Sequence, residues 1–497
     1  MLSALIWVPI ITAAIMAFWP GNITPKVTRQ LTLIVASGVF ILSLILASQF
    51  HTESASQQFV EIIPWIDVLG LSYHLGVDGL SLPLLVLNAL LTCIAIVSTD
   101  EAIQRPRFYY ALLLVLNACV AGAFLAQDLL LFFVFYEIEL IPLYLLIAIW
   151  GGKKRGYAAT KFLIYTAISG ILILAAFFGL FFLSDASTFA YESLRHHTLP
   201  LATQFLLLGA ILVGFAIKIP LVPFHTWLPD AHVEASTPIS VLLAGVLLKL
   251  GTYGLLRFGL GLFPEAWQIL APSLATWAVV SVLYGSLNAI AQTDMKKMVA
   301  YSSVGHMGYI LLAIAAATPL SLLASVIQMT SHGLISGLLF LLVGVVYKKT
   351  GTRDIEVLRG LLNPERGLPV VGSLMVLGVM ASAGLPGMVG FISEFLVFRG
   401  SYPVFPIQTL LSLVGTGLTS VYFLLLVNRV FFGRLSEVVE NLPQVQWKER
   451  APAIALAMLI VMLGLQPNWI VRWTETTTTT MTLTNQQLTA NTQTVLD

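Results

Sequence analysis

The sequence contains little charge. Asp, Glu, Lys and Arg make up only 10% of its 497 residues, whereas roughly 25% is usual in soluble domains. Hydrophobic residues make up 58%, and the mean hydropathy is +0.91. A soluble globule of this length could not remove so much apolar surface from water. The composition therefore excludes a soluble enzyme, a disordered chain and a nucleic-acid-binding protein, and it indicates a polytopic membrane protein.

The sequence also lacks the usual motifs for metals, redox groups and nucleotides. Cys93 and Cys119 are the only cysteines; both lie in apolar runs, and there is no C-x-x-C pair or Cys/His cluster. No G-x-G-x-x-G or G-x-x-x-x-G-K-[ST] loop opens a helix. We therefore expect this chain to bind no metal or other cofactor itself.

Apolar stretches long enough to cross the bilayer predict an all-α fold of about 14 transmembrane helices. They fall at 2–19, 31–50, 79–98, 109–126, 129–150, 162–183, 202–222, 238–258, 268–290, 299–316, 320–347, 368–398, 406–431 and 451–471. Loops rich in Lys and Arg alternate along the chain with loops that are poor in them. The side of the membrane with fewer basic residues holds only Arg195, Arg257, Arg399 and Arg472. The positive-inside rule then predicts that both termini face away from the cytoplasm.

Two of these stretches contain helix-breaking residues: Pro220 and Pro223 in the seventh, and Gly384, Pro386 and Gly387 in the twelfth. Broken helices beside ionisable groups are typical of ion sites in transporters. Because the breaks lie five spans apart, they suggest two inverted five-helix repeats, although Pro and Gly are common in membrane helices anyway. The expected units are helices 1–3 (residues 1–108), repeats at 109–260 and 261–433, and a last helix with a polar, mobile tail (434–497).

Ionisable residues at membrane depth are costly and mark function by default. They are Glu137 and Glu139 in span 5, Lys218 in span 7, Lys249 in span 8, His306 and His332 in spans 10 and 11, and Glu394 in span 12. On one helix, residues two positions apart point about 200° apart, so Glu137 and Glu139 should not face the same neighbour. Lys249 is the clearest signal, because it lies too deep to reach either interface.

These residues have simpler interpretations as well. Lys218 could extend to the nearby interface, a Glu–Lys pair could merely hold helices together, and a lone buried His is often a satisfied core residue. Taken as a row, however, they could pass protons, because burial favours neutral lysine and a nearby carboxylate favours its charged form. No metal-ligand spacing or nucleophile–base pair competes with this interpretation.

Four segments carry a family resemblance: Phe135–Pro142 (FYEIELIP), Phe215–Lys249 with its FAIKIPLVPFHTWLPDAH start, Asp294–His306, and Gly384–Glu394. They resemble the antiporter-like proton-pumping subunits of respiratory complex I and photosynthetic NDH-1, most of all the NuoM/NdhD type. The resemblance implies that Glu137 and Lys218 form a coupling pair and that Lys249 lies at the centre of the proton path. It also implies that His306 and His332 relay protons and that Glu394 marks the far half-channel. Auxiliary candidates are Glu139, His225 and Asp230.

The same resemblance implies a setting for the chain. Residues 150–161 look like the cyanobacterial or plastid form, which predicts a thylakoid membrane with both termini on the lumenal side. Other NDH-1 subunits, including neighbouring antiporter-like ones, would bind quinone, NAD(P)H or ferredoxin and iron–sulfur clusters. The residues after Asp230 favour the CO2-uptake form, with a CO2-hydrating partner. The alternatives are a subunit of a multi-protein sodium/proton antiporter and a purely structural membrane scaffold.

Overall fold

The computed structural model describes residues 1–21, 24–197, 199–436 and 442–496. Helices of the N-terminal part are α1 (Leu2–Phe18), α2 (Pro25–Gln49), α3 (Leu82–Ser98), α4 (Pro106–Leu125), α5 (Leu129–Ile138), α6 (Leu140–Trp150), α7 (Arg155–Leu183), α8 (Tyr191–Arg195), α9 (Leu201–Lys218), α10 (Trp227–Glu234), α11 (Thr237–Leu242) and α12 (Leu248–Gly254). The rest are α13 (Pro264–Ile290), α14 (Met295–Ala316), α15 (Pro319–Thr350), α16 (Pro369–Ser382), α17 (Val389–Ser401), α18 (Pro406–Val430), α19 (Trp447–Leu465) and α20 (Asn468–Leu496).

The chain is mainly a bundle of apolar helices, as its composition predicts. Within the described residues, 10 helices are long and apolar enough to cross a membrane, or 11 if the bent pair α19–α20 counts as one span. Three further expected spans correspond to the shorter apolar helices α1, α3 and α16. The expected count of about 14 therefore stays a prediction, while the membrane-spanning helical architecture is confirmed.

A small β-hairpin interrupts the otherwise helical fold. β1 (Gln58–Ile66) pairs antiparallel with β2 (Leu71–Val77), and Gly70 between them has a positive φ of 64°. The second strand runs directly into the segment before α3, so the hairpin fixes Asp78 beside the helix bundle. The pattern of the sequence does not predict this hairpin.

Both expected helix breaks are present. α9 ends at Lys218 and α10 begins at Trp227, with Pro220 and Pro223 in the turn between them. Polar backbone groups freed within a bilayer need partners inside the protein. The Trp227 indole N–H donates to the Ile217 carbonyl at 2.8 Å, and that of Trp277 donates to the Val222 carbonyl. Tryptophan side chains thus satisfy the carbonyls exposed by this break.

The second break lies between α16 and α17. Gly384 and Gly387 adopt φ values of 74° and 91°, a left-handed conformation that only glycine adopts without strain. α17 then begins at Val389 and carries Glu394 on its second turn. The Gly-Leu-Pro-Gly sequence therefore positions this carboxylate.

Span 8 is one buried helix with two widened turns. π-helical segments occupy Leu243–Leu247 and Leu255–Leu260, on either side of α12, which carries Lys249. Every residue from Pro238 to Leu260 is buried. Segments of π-helix inside α-helices are frequent at functional sites.

The C-terminal segment, for which the sequence suggests a polar and mobile tail, forms the helix α20, which begins at Asn468 and meets α19 at 64°. One face of α20 is buried, with the i, i+3, i+4, i+7, i+8 spacing of a helix: Thr474, Thr477, Thr478, Met481 and Thr482. Threonine hydroxyls can donate to the carbonyl one turn earlier, as Thr478 and Thr482 do. The low-complexity composition thus conceals an amphipathic helix.

Candidate functional site

Lys218 and Glu139 form an ion pair inside the bundle. Lys218 is the last residue of α9, and Glu139 lies in the break between α5 and α6. Their side chains are 1% and 0% exposed, and the Lys218 ammonium donates to Glu139 Oε1. Separation of such a pair would leave an uncompensated buried charge. The pair can therefore link a movement of helices to a change in protonation.

An aromatic ring also contacts the ammonium. Lys218 Nζ is 4.7 Å from the centre of the Tyr136 ring, within the range of a cation–π contact. The Tyr136 hydroxyl is hydrogen-bonded to Ser169 Oγ at 2.9 Å, and Ser169 donates to the Gly214 carbonyl at 2.7 Å. α5, α7 and α9 are thereby joined around Lys218.

The expected pairing of Glu137 with Lys218 is not the one that the structure contains. Glu137 Oε1 is buried and has no hydrogen-bond partner among the described residues, and its carboxylate faces Gly170 in α7. The two carboxylates face different neighbours, as the angle of about 200° between them predicts. It is Glu139, the residue directly after α5, that lies next to Lys218.

Lys249 lies at the centre of the buried part of the molecule. Its side chain is 0% exposed; its ammonium donates to the Ala244 carbonyl and lies 2.7 Å from His332 Nδ1. Ala244 belongs to the π-helical segment that precedes α12. The widened turn thus supplies a carbonyl to the lysine, and α15 supplies an imidazole that can exchange a proton with it.

The network continues from His332 to Glu394. The rings of His332 and His306 have centroids 5.5 Å apart. His306 Nε2 is 3.0 Å from Ser382 Oγ, and its Nδ1 is 3.5 Å from Glu394 Oε1. Glu394 Oε2 accepts a hydrogen bond from Thr416 at 3.0 Å. The structure therefore brings four expected site residues, Lys249, His332, His306 and Glu394, into one line of buried polar groups.

A small polar cavity lies along this line. His306, His332 and Glu394 line it together with serines and Gln328, and its volume of ≈ 10 Å³ is close to that of one water-sized sphere. Two lining atoms, Gln328 Oε1 and His332 Nε2, have no hydrogen-bond partner within the described part of the chain. The lining can therefore hold a water that carries a proton between side chains.

The Lys218 pair and the Lys249 network are adjacent but separate. A Cβ atom at Gly251, two residues after Lys249, would lie 3.3 Å from Lys218 Cβ, so α12 touches the end of α9. Across the described ranges, no hydrogen bond joins Lys218 to Lys249. Transfer between the two groups would thus require a movement or intervening water.

The other two auxiliary candidates lie outside this line. His225 is in the turn that follows Pro220, and its ring packs edge-on against Tyr284 with centroids 5.0 Å apart. Asp230 in α10 pairs with Lys161 of α7 at 2.8 Å, and both side chains are partly exposed. These contacts connect the break to α7 and α13 without reaching Lys218 or Lys249.

His232 is a buried ionisable residue that the sequence analysis did not select. It is 0% exposed, its ring stacks on Phe340 at 4.3 Å, and neither ring nitrogen has a partner among the described residues. Lys249 is close enough to interact electrostatically with it. His232 lies in the segment Phe215–Lys249 that carries part of the family resemblance, but nothing in its spacing sets it apart from His225.

A second buried ion pair was also missed. Asp78, 2% exposed, accepts a hydrogen bond from Arg257, 5% exposed, and Arg257 also donates to the Tyr253 hydroxyl at 3.2 Å. The sequence analysis counted Arg257 only as a loop charge. The structure places it inside span 8, in the π-helical segment after α12.

The described residues contain no group of three or more His, Cys, Asp or Glu side chains arranged to hold a metal ion. The site residues themselves are carboxylates, ammoniums and imidazoles, which can exchange protons with one another. Every one of these groups can gain or lose a proton without a cofactor.

Comparisons with known proteins cover the whole of this site. A sequence-family model described as "NADH:quinone oxidoreductase/Mrp antiporter, TM" matches residues 126–419. NAD(P)H-quinone oxidoreductase chain 4 3 of Trichormus variabilis is 42% identical over 486 residues, 95% of this chain and 89% of the relative. Chain 4-2 of Synechocystis is 42% identical over 440 residues, 87% of this chain and 78% of the relative.

Solved structures agree in fold. A chain of respiratory complex I from Thermus thermophilus with bound NADH superposes with a TM-score of 0.88 at 28% identity, covering 97% of this chain and 99% of that one. A chain of the Mrp complex from Dietzia sp. gives 0.86 at 21% identity, covering 98% of each chain, and shows the shared fold alone. On the family match and the identity to its relatives, the chain belongs to the transmembrane family of NADH:quinone oxidoreductase and Mrp antiporter subunits.

Proposed function

We propose that this chain is a proton-translocating membrane subunit of an NDH-1 complex, an NAD(P)H- or ferredoxin:plastoquinone oxidoreductase. Its relatives at about 42% identity are named as chains of NAD(P)H-quinone oxidoreductases. The single observation that carries the proposal is the line of buried ionisable groups from Lys249 to Glu394. A purely structural core has no need of so many titratable groups in direct contact.

The proposed path begins at the Lys218–Glu139 pair. A change in this pair alters the electrostatic environment of Lys249, which lies one helix contact away. Neutral Lys249 then accepts a proton from the cytoplasmic side and passes it to His332. His306 and Glu394 carry it to the opposite side. Burial makes each charged form costly, so one charge entering the line favours the departure of another.

The setting of the subunit is part of the same proposal. Quinone, the electron donor and iron–sulfur clusters belong to other subunits, and lipids and neighbouring antiporter-like subunits surround this chain. The membrane is the cyanobacterial thylakoid, with both termini on the lumenal side. The CO2-uptake form, with a CO2-hydrating partner, follows only from the residues after Asp230.

Co-purification in mild detergent tests the proposed complex. Peripheral iron–sulfur subunits should accompany the chain, and a CO2-hydrating subunit should accompany it if the specialised form is correct. The second candidate function is a subunit of a multi-protein sodium/proton antiporter, favoured by the fold shared with the Mrp chain. Sodium-dependent proton flux in a preparation without quinone reductase activity would select that candidate.

A Lys218→Ala variant tests the role of the pair. The reconstituted complex should reduce quinone but move fewer protons per electron, because the charge that responds to Glu139 is gone. An exposed lysine in the loop before α7, Lys153, provides the control substitution. A scaffold role instead predicts unchanged proton transport with altered assembly.

A further inference from the structure

Span 5 presents two carboxylates to different surroundings. Glu139 is completely buried and paired with Lys218, whereas Glu137 is half-buried and unpaired at its buried Oε1 atom. The two residues lie on either side of the end of α5. Lys218 is close enough to interact electrostatically with Glu137 as well as with Glu139. One lysine therefore has two carboxylates within its electrostatic range.

A glycine of α7 makes room for the second carboxylate. A Cβ atom at Gly170 would lie 1.8 Å from Glu137 Oε1 and 2.5 Å from its Cδ. No side chain could occupy this position unless Glu137 moved away. Gly170 thus forms a notch in α7 that the Glu137 carboxylate fills.

The aromatic ring that contacts Lys218 belongs to the residue next to Glu137. Tyr136 directly precedes Glu137, and its ring already contacts the Lys218 ammonium at 4.7 Å. Its hydroxyl is held by Ser169, the residue before Gly170. The face of an aromatic ring stabilises an ammonium that has left a carboxylate. The ring therefore lies fixed at the edge of the notch.

We propose that Lys218 exchanges between two carboxylates, Glu139 and Glu137, across the face of Tyr136, and that Gly170 is the positioning residue that keeps Glu137 available. This inference rests on the proposed function, because it replaces the single coupling pair of that function with two alternative pairs, Lys218–Glu139 and Lys218–Glu137. When Lys218 moves from Glu139 to Glu137, Glu139 takes up a proton, because a lone buried charge is costly, and Glu137 releases the proton that it held. The return of the ammonium reverses both transfers, so one O–H bond forms for each one that breaks.

The first test compares two glycine substitutions in the reconstituted complex. Gly170→Ala should lose most proton pumping while quinone reduction continues, because the added methyl displaces Glu137. Gly209→Ala is the matched control: it lies in the middle of α9, with nothing within 4 Å of an added Cβ, and it should pump like the wild type. Equal pumping by the two variants would overturn the role of Gly170.

A double-mutant cycle separates positioning from loosened packing. If Gly170 acts through Glu137, the Glu137→Ala/Gly170→Ala variant should pump as well as Glu137→Ala alone, because the methyl no longer meets a carboxylate. Additive losses would mean that Gly170 only packs α5 against α7. The amount of assembled complex, measured by size-exclusion chromatography, should be the same for Glu137→Ala and for the double variant Glu137→Ala/Gly170→Ala.

A third comparison tests the exchange itself. Glu139→Gln should lose most of the pumping, as Gly170→Ala does, because the exchange needs both carboxylates. Glu139→Gln that pumps like the wild type would overturn the exchange. If Lys218→Ala itself pumps normally, the proposed function fails; if Lys218→Ala is inactive but the cycle is additive, only the exchange fails.

Discussion

Single ionisable residues within apolar spans can be recognised from the sequence alone. Lys249, His306, His332 and Glu394 stand out because a bilayer makes each of them costly, and the structure places all four in one line. The distance of each residue from the ends of its span can be counted along the chain. The contacts between these residues cannot be predicted in this way, because they join distant parts of the chain: Lys249 and His332 are 83 residues apart.

The choice between Glu137 and Glu139 could not be made from the sequence. The helical wheel correctly predicts different neighbours for the two carboxylates, but it does not say which of them meets Lys218 and which meets Gly170. The end of α5 at Ile138 is announced by Pro142, which lacks the N–H that would bond the Ile138 carbonyl. Which carboxylate pairs with Lys218 depends on how α9 packs against this span.

The buried Asp78–Arg257 pair leads to a prediction about stability. Asp78→Ala leaves the Arg257 guanidinium buried without its carboxylate, so we expect a loss of roughly 3–5 kcal/mol. The midpoint of thermal unfolding in detergent should fall accordingly. Glu192→Ala, at an exposed position, should leave it unchanged. An Asp78→Ala variant as stable as the Glu192→Ala control would show that the pair contributes nothing.

At the scale of elements, helix breaks were predictable and tertiary contacts were not. Pro220 and the Gly-Leu-Pro-Gly segment at 384–387 announce breaks because proline lacks an N–H and glycine permits a positive φ. The hairpin β1–β2 and the α20 helix were missed. In α20 the repeated threonines hide which face is apolar, since threonine carries both a methyl and a hydroxyl group.

The contact between α16 and α17 can be tested through Gly390. A Cβ atom at this position would lie 1.9 Å from the Ala381 carbonyl oxygen, so Gly390→Ala must push α17 and Glu394 away from α16. Overpacking of this kind costs about 1–3 kcal/mol. We expect lower thermal stability and fewer protons per electron.

Gly417→Ala provides the control for this substitution. Gly417 lies in α18 and has open space where the Cβ would be, so this variant should match the wild type in both measurements. Wild-type pumping by Gly390→Ala would contradict the proposal that the position of Glu394 matters.

The packing of α20 predicts that two nearby threonines of this helix differ in their tolerance of a charged substitution. Thr478 is completely buried and Thr480 is exposed. Thr478→Asp would place a charge in an apolar contact, at a cost of several kcal/mol, and should lower the thermal midpoint or prevent assembly. Thr480→Asp should do neither. Equal tolerance of both changes would mean that α20 does not pack as described.

At the scale of the whole molecule, composition alone gave the membrane environment and the helical class. Orientation comes from the alternation of basic loops and stays a prediction, as does the division into inverted repeats. Neither depends on fine geometry. Orientation reflects how basic residues are distributed along the chain relative to the bilayer, and the repeats reflect the spacing of the two helix breaks.

Labelling of introduced cysteines can test the orientation. A membrane-impermeant maleimide should reach Lys153→Cys from the cytoplasmic side, and it should reach Asp185→Cys only after the membrane is made permeable. Both positions are exposed, so accessibility depends on which side of the membrane they face. The reverse pattern would invert the predicted topology and the direction of the proposed proton path.

The most direct test of the central proposal is the proton-to-electron ratio of reconstituted complex that carries Lys249→Ala. Lys249 is completely buried and joins α12 to His332, so its removal interrupts the line without touching any electron carrier. The account predicts continued quinone reduction and a reduced ratio, while Lys153→Ala keeps the wild-type value. An unchanged ratio in assembled Lys249→Ala complex would contradict proton transfer through this chain.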